Sequence, residues 1–283
     1  MMKPIVMSFW GETALDQLQR ALDSWNNKYE QIFDILTTSP SEFQNGGIWT
    51  AVSDVIRVIE GTGITLVVLF FLYGLFKSSI DLRDFRHNPK QIIFSLFRLV
   101  IAQFFVKYST TLLTYVMVFA QNLIKKIDKG VLTADFTVPP DLQTALETAD
   151  WGAGMGAYAA SLIGTAVIFL LSIIIIVVVY GRFFKIFLLA SISPIPLAGF
   201  ASDATETLGI NFMKSFVGEC IRGVVILVAC IIFSAFATSP TGLDASTPGG
   251  MTWTYIGEVI TQMLLLVIIV KTSDRLIKEI FGF

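Results

Sequence analysis

The most restrictive feature of this sequence is the run at residues 151–181, which contains no charged residue and is mostly apolar. A helix needs about 20 apolar residues to cross the hydrocarbon core of a bilayer, and this run is longer. The chain of 283 residues is 54% hydrophobic and only 15% charged, whereas soluble domains are about 25% charged. These values predict a membrane protein and exclude a collagen, a disordered tail, a coiled coil and a basic nucleic-acid-binding domain.

Five further apolar segments accompany this run, at 62–80, within 91–124, and at 183–200, 212–237 and 253–270. The segment 183–200 contains Pro194 and Pro196, and each proline removes a helix hydrogen bond. It is therefore a re-entrant hairpin, a helix that unwinds, or a span that ends at the proline pair. The expected fold class is all-α: a polytopic α-helical membrane protein with five transmembrane helices plus a proline-broken re-entrant or sixth segment.

Before the first span, apolar residues recur at alternating spacings of three and four, which predicts an amphipathic helix. Thr13 with Asp16 resembles a capping box at its start, and residues 37–40 end it. Its apolar seam either packs on this protein's own membrane domain or the outer leaflet, or forms an interface with another subunit. The seam residues are Leu15, Leu18, Leu22, Trp25, Tyr29, Ile32 and Leu36.

The distribution of basic residues predicts the orientation, because Lys and Arg favour cytoplasmic connections. The connection after the first span and the C-terminal tail are basic, and Arg182 and Lys185 follow the third span. The N-terminus is expected outside and the C-terminus in the cytoplasm, although this leaves Lys125, Lys126 and Lys129 outside. The basic residues that set the orientation are Lys77, Arg83, Arg86, Lys90, Lys271, Arg275 and Lys278.

The predicted organisation along the chain follows from these spans. Residues 1–60 are expected to form an extracytoplasmic amphipathic region, and residues 61–127 two transmembrane helices with a basic cytoplasmic connection. An extracytoplasmic connection follows at 128–157. Residues 158–270 are expected to form a C-terminal transmembrane bundle that includes the segment 183–200, and residues 271–283 a basic cytoplasmic tail.

Ionisable residues inside apolar runs are candidate channel or gating residues, because a charge facing lipid costs several kcal/mol. Glu219 and Arg222 are three apart and can pair on one helix face. Arg98 and Lys107 lie on opposite faces of a straight helix, on which Lys107 would share a face with Thr111, Thr114 and Gln121. The candidate channel or gating residues are Arg98, Lys107, Arg182, Lys185, Ser193, Pro194, Pro196, Glu219 and Arg222.

Small residues recur every four positions at the head of the third span, at Gly152, Gly156, Ala160 and Gly164. Such a face allows helices to approach closely, and a hinge or pore lining is the alternative. The sequence has one histidine, His87, and no phosphate-binding loop or metal-ligand motif. We therefore predict no catalytic residue, no metal ligand and no cofactor, and expect that the chain is not an enzyme.

The stretch 179–182 (VYGR), followed by 186–198 (IFLLASISPIPLA), resembles the signature of the TrbL-type conjugal transfer proteins of Gram-positive mobile elements. These proteins are relatives of the polytopic VirB channel subunit of type IV secretion. Residues 211–216 (NFMKSF) fit the same resemblance. The likeness extends over most of the chain in the order of its spans, and its specific part is the Ser-Pro-Ile-Pro core.

The resemblance implies a channel subunit of a conjugative type IV secretion system in the cell membrane, on the path of single-stranded DNA with its relaxase. Implied partners are other membrane subunits of the machinery, cytoplasmic transfer ATPases, a cell-wall hydrolase, the bilayer, and further copies of this chain. Basic residues such as Arg182 and Arg222 would line the path of the polyanion. The alternatives are a small-molecule secondary transporter, an ABC-type permease, or a non-conducting scaffold for a secretion complex.

Overall fold

The computed structural model describes residues 9–79, 89–127, 136–237 and 247–282. Within these ranges the regular structure is helical and contains no strand, which confirms the predicted all-α class. The α-helices are α1 (Phe9–Thr37), α2 (Gly47–Ser79), α3 (Pro89–Lys107), α4 (Ser109–Lys125), α5 (Pro140–Glu147), α6 (Trp151–Ser191), α7 (Pro194–Leu197), α8 (Glu206–Phe236) and α9 (Pro248–Phe281).

Long apolar helices make the chain a multi-pass membrane protein. Among the described residues, four candidate spans are long and apolar enough to cross a bilayer, namely Phe43–Lys77, Trp151–Ser191, Glu206–Phe236 and Pro248–Phe281, and the bent pair Ile93–Lys107 and Ser109–Lys125 would make a fifth. The five predicted transmembrane helices correspond to this upper number.

The bent pair separates residues that a straight helix would align. The two helices meet at Tyr108 at an angle of 70°, so Lys107 ends α3 while Thr111, Thr114 and Gln121 belong to α4. The predicted shared face of these four residues is therefore wrong. Gln121 instead donates a hydrogen bond to the backbone oxygen of Thr37.

The third predicted span does not end before Arg182. Residues 183–191 continue it as part of α6, which is about 60 Å long at 1.5 Å per residue. The segment 183–200 therefore begins as part of α6, and the chain breaks just before the proline pair, while its re-entrant or spanning course stays a prediction. Pro194 then opens the short α7, and a 3-10 turn follows at Ala198–Ala201. Both prolines stand in the first turn of α7, where a helix does not need their missing N–H groups.

The N-terminal amphipathic helix α1 begins earlier than its sequence suggests. It starts at Phe9, and the Thr13 hydroxyl donates to the Phe9 carbonyl (2.6 Å) inside the helix. The prediction of Thr13 as a capping residue is therefore wrong, whereas α1 ends at Thr37, inside the predicted stop. Every residue of the predicted seam is buried.

The chain divides into two compact units, of which the first comprises Met1–Ile35, Ile127–Tyr180 and Val225–Ser273. Here the seam of α1 packs on the chain itself. The Tyr29 hydroxyl donates to the Cys230 backbone oxygen (2.7 Å). The Asn26 side-chain amide donates to the backbone oxygen of Phe136 and accepts from its backbone N–H. These two bonds hold Phe136 against α1.

The second unit comprises Leu36–Lys126, Gly181–Val224 and Asp274–Phe283. The proline turn packs against α2 and α3. A Cβ at Gly63 would lie 2.9 Å from Pro194 and from Val106, so glycine is needed where α2 meets this turn. The rings of Phe105 and Phe200 lie 5.2 Å apart, centre to centre.

Each unit combines three separated stretches of the chain. The units therefore describe a different division from the five consecutive regions expected from sequence, and those regions stay predictions of membrane topology. Residues 271–281, expected as part of a tail, continue α9. The predictions for Arg83, Arg86, His87 and Lys129 lie outside the described residues.

Candidate functional site

A buried carboxylate on α8, that of Glu219, is the centre of an ion-pair network in the second unit. Glu219 is 3% exposed. One of its oxygens accepts from Lys185 Nζ (2.7 Å), and the other from Arg222 Nη1 (3.0 Å). A buried carboxylate without such donors would be strongly unfavourable. The predicted pairing of Glu219 with Arg222 on one helix face is present, and Lys185 is added to it.

Asp274 on α9 extends this network to a third helix. Its carboxylate accepts from Lys185 Nζ (2.6 Å) and from Lys278 Nζ (3.0 Å), and Arg222 Nη1 lies 3.5 Å away. Lys185 is therefore shared between two carboxylates. Through these contacts the charged side chains connect the ends of α6, α8 and α9 that belong to the second unit.

Arg182 lies one turn before Lys185 on α6 and is 3% exposed. Its Nε and Nη1 groups have no hydrogen-bond partner among the residues that the structure describes, and its guanidinium carbon lies 5.3 Å from the centre of the Phe183 ring. A Cβ at Gly223 of α8 would overlap the Arg182 guanidinium, so glycine permits this close approach. A buried arginine whose N–H groups lack acceptors is costly, and its position depends on the packing around it.

Arg98 belongs to a different cluster of the same unit. Its Nη1 pairs with the carboxylate of Asp203 and with Glu206 Oε2 (3.1 Å). Lys107, the last residue of α3, is exposed, with its Nζ 5.9 Å from the Tyr108 ring centre. The structure thus places these two predicted residues apart from the Glu219 network and apart from each other.

The predicted residues of the proline turn, Ser193, Pro194 and Pro196, belong to neither charged cluster. Ser193 is fully buried, and within the described part of the chain its hydroxyl finds no hydrogen-bond partner. Pro194 is buried and Pro196 is half-buried. Their contacts place them in the packing of α2, α3 and the turn.

The small-residue face on α6 belongs to the first unit and has two different parts. A Cβ at Gly164 would lie 2.7 Å from Ile256 of α9, and Ala160 is fully buried. Gly152 and Gly156 are exposed, and a Cβ on either would meet nothing within 4 Å. Close helix approach therefore occurs at the Gly164 end, while the other end stays open.

The sequence predicted the pair of Glu219 with Arg222 and named Arg182 and Lys185 as separate candidates, but it did not predict that Asp274 and Lys278 join them. The sequence contains a signal for the pair of Asp274 with Lys278, because the two residues are four apart, a spacing at which an acid and a base meet on one helix. The prediction of a tail at 271–283 instead of a helix hides this signal. The acids Asp203 and Glu206, which bind Arg98, carried no signal that linked them to a residue more than a hundred positions away.

The arrangement can hold helices in register. Four bases, Arg182, Lys185, Arg222 and Lys278, surround two acids, Glu219 and Asp274, so removing either acid leaves a single acid among four bases, of which Arg182 and Arg222 are buried. Interactions of this kind set the relative positions of helices more than they add stability.

Comparison with known proteins identifies a relationship through a family model. Residues 25–194 match the model described as TrbL/VirB6 plasmid conjugal transfer like protein. No curated protein and no solved structure matches the chain significantly. The match covers more than half of the chain and includes α2, α3, α4, α5, α6 and the first proline of α7. The chain therefore belongs to the TrbL/VirB6 plasmid conjugal transfer-like family, whose members are membrane components of conjugation systems.

Proposed function

We propose that this chain is a channel subunit of a conjugative type IV secretion system and forms part of the path of single-stranded DNA with its relaxase. The observation that carries the proposal is the family match over residues 25–194, which includes two candidate spans and the bent pair. DNA is a polyanion that must avoid lipid, so its path needs a protein lining.

The burial of the basic network favours a particular location for this path. Arg182 and Arg222 are 3% and 8% exposed, so a passing strand would not touch them in this arrangement. We therefore assign the network to holding the helices, and the path to surfaces between copies of the chain or between the chain and other subunits. Exposed side chains on α4, such as Tyr115 and Phe119, are then available for contacts between subunits.

The proposed partners follow from the same role. They are further copies of this chain, other membrane subunits of the machinery, cytoplasmic transfer ATPases, the relaxase-linked strand, and a cell-wall hydrolase. Energy comes from the ATPases.

The proposed orientation places the N-terminus outside and the C-terminus in the cytoplasm. A thiol reagent that cannot cross membranes should therefore label the variant Glu30→Cys and spare the variant Arg275→Cys in intact cells.

The test is photo-crosslinking of the transferring strand in mating cells. A photoreactive amino acid is placed at exposed positions, including Phe119 (62% exposed), and at the neighbouring buried position Met117 (1% exposed) as the control. We expect strand adducts at a subset of exposed positions and none at Met117. If transfer proceeds without an adduct at any exposed position of α2, α3, α4 or α8, the proposal is overturned in favour of a non-conducting scaffold.

A further inference from the structure

A cavity of about 320 Å³ lies in the second unit beside the end of α2. Its polar lining comes from Lys77 at the end of α2, Ser95 and Arg98 on α3, and Ser202 and Asp203 after the 3-10 turn. This volume falls at the lower end of the range of about 300–1,000 Å³ that small-molecule sites occupy. The charged network around Glu219 does not contribute to this cavity.

We propose that the cavity binds the headgroup of an anionic phospholipid, with the acyl chains lying along α3. The first support is charge. Arg98 is balanced by Asp203, which also lines the cavity, and by Glu206. Lys77 makes no ion pair with any residue that the structure describes, so within these residues it is the base of the lining whose charge is not neutralised.

The second support is the polar wall opposite these bases. Ser202 is buried, and its Oγ accepts a hydrogen bond from the Ala204 backbone N–H (3.2 Å), which leaves the hydroxyl proton to donate. A Cβ at Gly74 would overlap the Ser202 side chain, so the glycine allows the Ser202 turn to lie directly against α2. A phosphate oxygen in the cavity would therefore meet a hydroxyl donor as well as the Lys77 ammonium, while Arg98 keeps its carboxylate partners.

The third support is the position of the cavity at the end of a candidate span. Lys77 is the last residue of the candidate span Phe43–Lys77, and basic residues at the end of a transmembrane helix lie at the level of the headgroups. Basic pockets between transmembrane helices are suited to anionic headgroups for this reason. A soluble anion would gain the same polar contacts but none from the surrounding hydrocarbon.

The fourth support is an apolar groove on the same helix. It has a volume of about 470 Å³ and is lined only by exposed apolar side chains of α3, namely Ile93, Phe94, Leu96, Phe97 and Val100. Phe94 lies four residues before Arg98, so the two are neighbours on the helix surface. An acyl chain can therefore pass from a headgroup at Arg98 over Phe94 into the groove.

The test measures phosphatidylglycerol binding to the purified full-length chain by native mass spectrometry, after delipidation and titration. The variants are Lys77→Gln and, as a matched control, Lys107→Gln, which removes another exposed lysine from the far end of α3. We expect the apparent affinity for phosphatidylglycerol to fall about fivefold in Lys77→Gln, as removal of one basic residue near an anionic surface predicts, and to stay unchanged in Lys107→Gln. Phosphatidylcholine should bind more weakly to the unmodified chain.

Two further arms keep the result decisive. Ala204→Leu narrows the cavity without changing its charge and should also weaken binding, and thermal unfolding of each variant verifies that it is folded. Soluble glycerol phosphate should not displace the lipid. Equal losses in both lysine variants, no preference for phosphatidylglycerol, or displacement by glycerol phosphate would each overturn the proposal. The readout is lipid binding, so it is independent of any role in DNA transfer.

Discussion

In the first unit the N-terminal helix α1 is held by apolar side chains and uncharged hydrogen bonds, whereas in the second unit α6, α8 and α9 are joined by ion pairs. Trp25 and Leu22 of α1 are 0% and 1% exposed, and Tyr29 donates to a backbone oxygen. Lys185, Glu219 and Asp274 instead share charge between three helices. The apolar contacts tolerate small adjustments, whereas a buried charge network fails when a single partner is lost.

The strongest test of this comparison removes the central acid. Glu219→Gln keeps the shape of the side chain but leaves Lys185 and Arg222 with one acid between them, so we expect the free energy of unfolding to fall by about 3–5 kcal/mol. Thermal unfolding in detergent measures the loss. Glu279→Gln, which removes a carboxylate from an exposed pair with Arg275, is the matched control and should change little. Equal effects would contradict a special role for burial.

The corresponding test in the first unit creates a cavity under α1. Leu22→Ala removes a side chain that is 1% exposed, and we expect a loss of about 2–5 kcal/mol, centred near 3. The control is Asn27→Ala, on the exposed face of the same helix, which should stay within about 0.5 kcal/mol. A loss in Leu22→Ala no larger than in this control would show that the seam of α1 is not packed as described.

A smaller effect is expected from the hydroxyl that connects α1 to α8 in the first unit. Tyr29→Phe removes the hydrogen bond to the Cys230 oxygen and should cost about 1 kcal/mol, the usual net value for such a bond. Burial raises the pKa of the Tyr29 phenol, so the group contributes fully below the unfolded pKa of about 10 and its contribution is lost only as the pH rises through the higher folded value. The difference between Tyr29→Phe and the unmodified chain should therefore be constant from pH 6 to pH 8 in chemical unfolding. A difference that vanishes within this interval would show that the phenol ionises there.

The smallest effect is expected for an ion pair on the surface of α1. Arg20 Nη2 lies 2.9 Å from Asp16 Oδ2, and the two side chains are 77% and 56% exposed. Exposed pairs contribute about 0.2–1 kcal/mol and are screened by salt, so Arg20→Ala should lower stability by no more than about 0.5 kcal/mol, and less at high salt. Arg222→Ala, measured alongside, should cost several-fold more at both salt concentrations. Similar losses would remove the distinction between buried and exposed pairs on which the comparison depends.

Local patterns carried much of the correct prediction. The spacing of apolar residues in α1 predicted seven seam residues, and all seven are buried. This works because residues three and four apart lie on the same face of a helix, whatever that face packs against. Glu219 and Arg222 were recognised as a pair because both stand on one helix, three residues apart. The apolar length of α6 was equally evident, because a charge-free run of this kind is stable only out of water, although α6 begins at Trp151, within the connection predicted at 128–157.

Predictions failed where a contact joins distant parts of the chain or where a helix changes direction. The bend at Tyr108 falls in a sequence without proline or glycine, and α6 continues through Arg182 although a charge there suggested a helix end. Arg98 finds Asp203 and Glu206, and Lys185 finds Asp274, because packing brings their helices together. No spacing in the sequence encodes such meetings.

The sequence by itself determined that this chain is an all-α membrane protein with an amphipathic N-terminal helix and a break at Pro194, and that it resembles the conjugal transfer family. Only the tertiary structure decided which charges on different helices neutralise one another, as Lys185 and Asp274 do. The reason is physical: hydrophobic periodicity acts along one helix, within a few residues, whereas the partner of a buried charge depends on how separate helices dock.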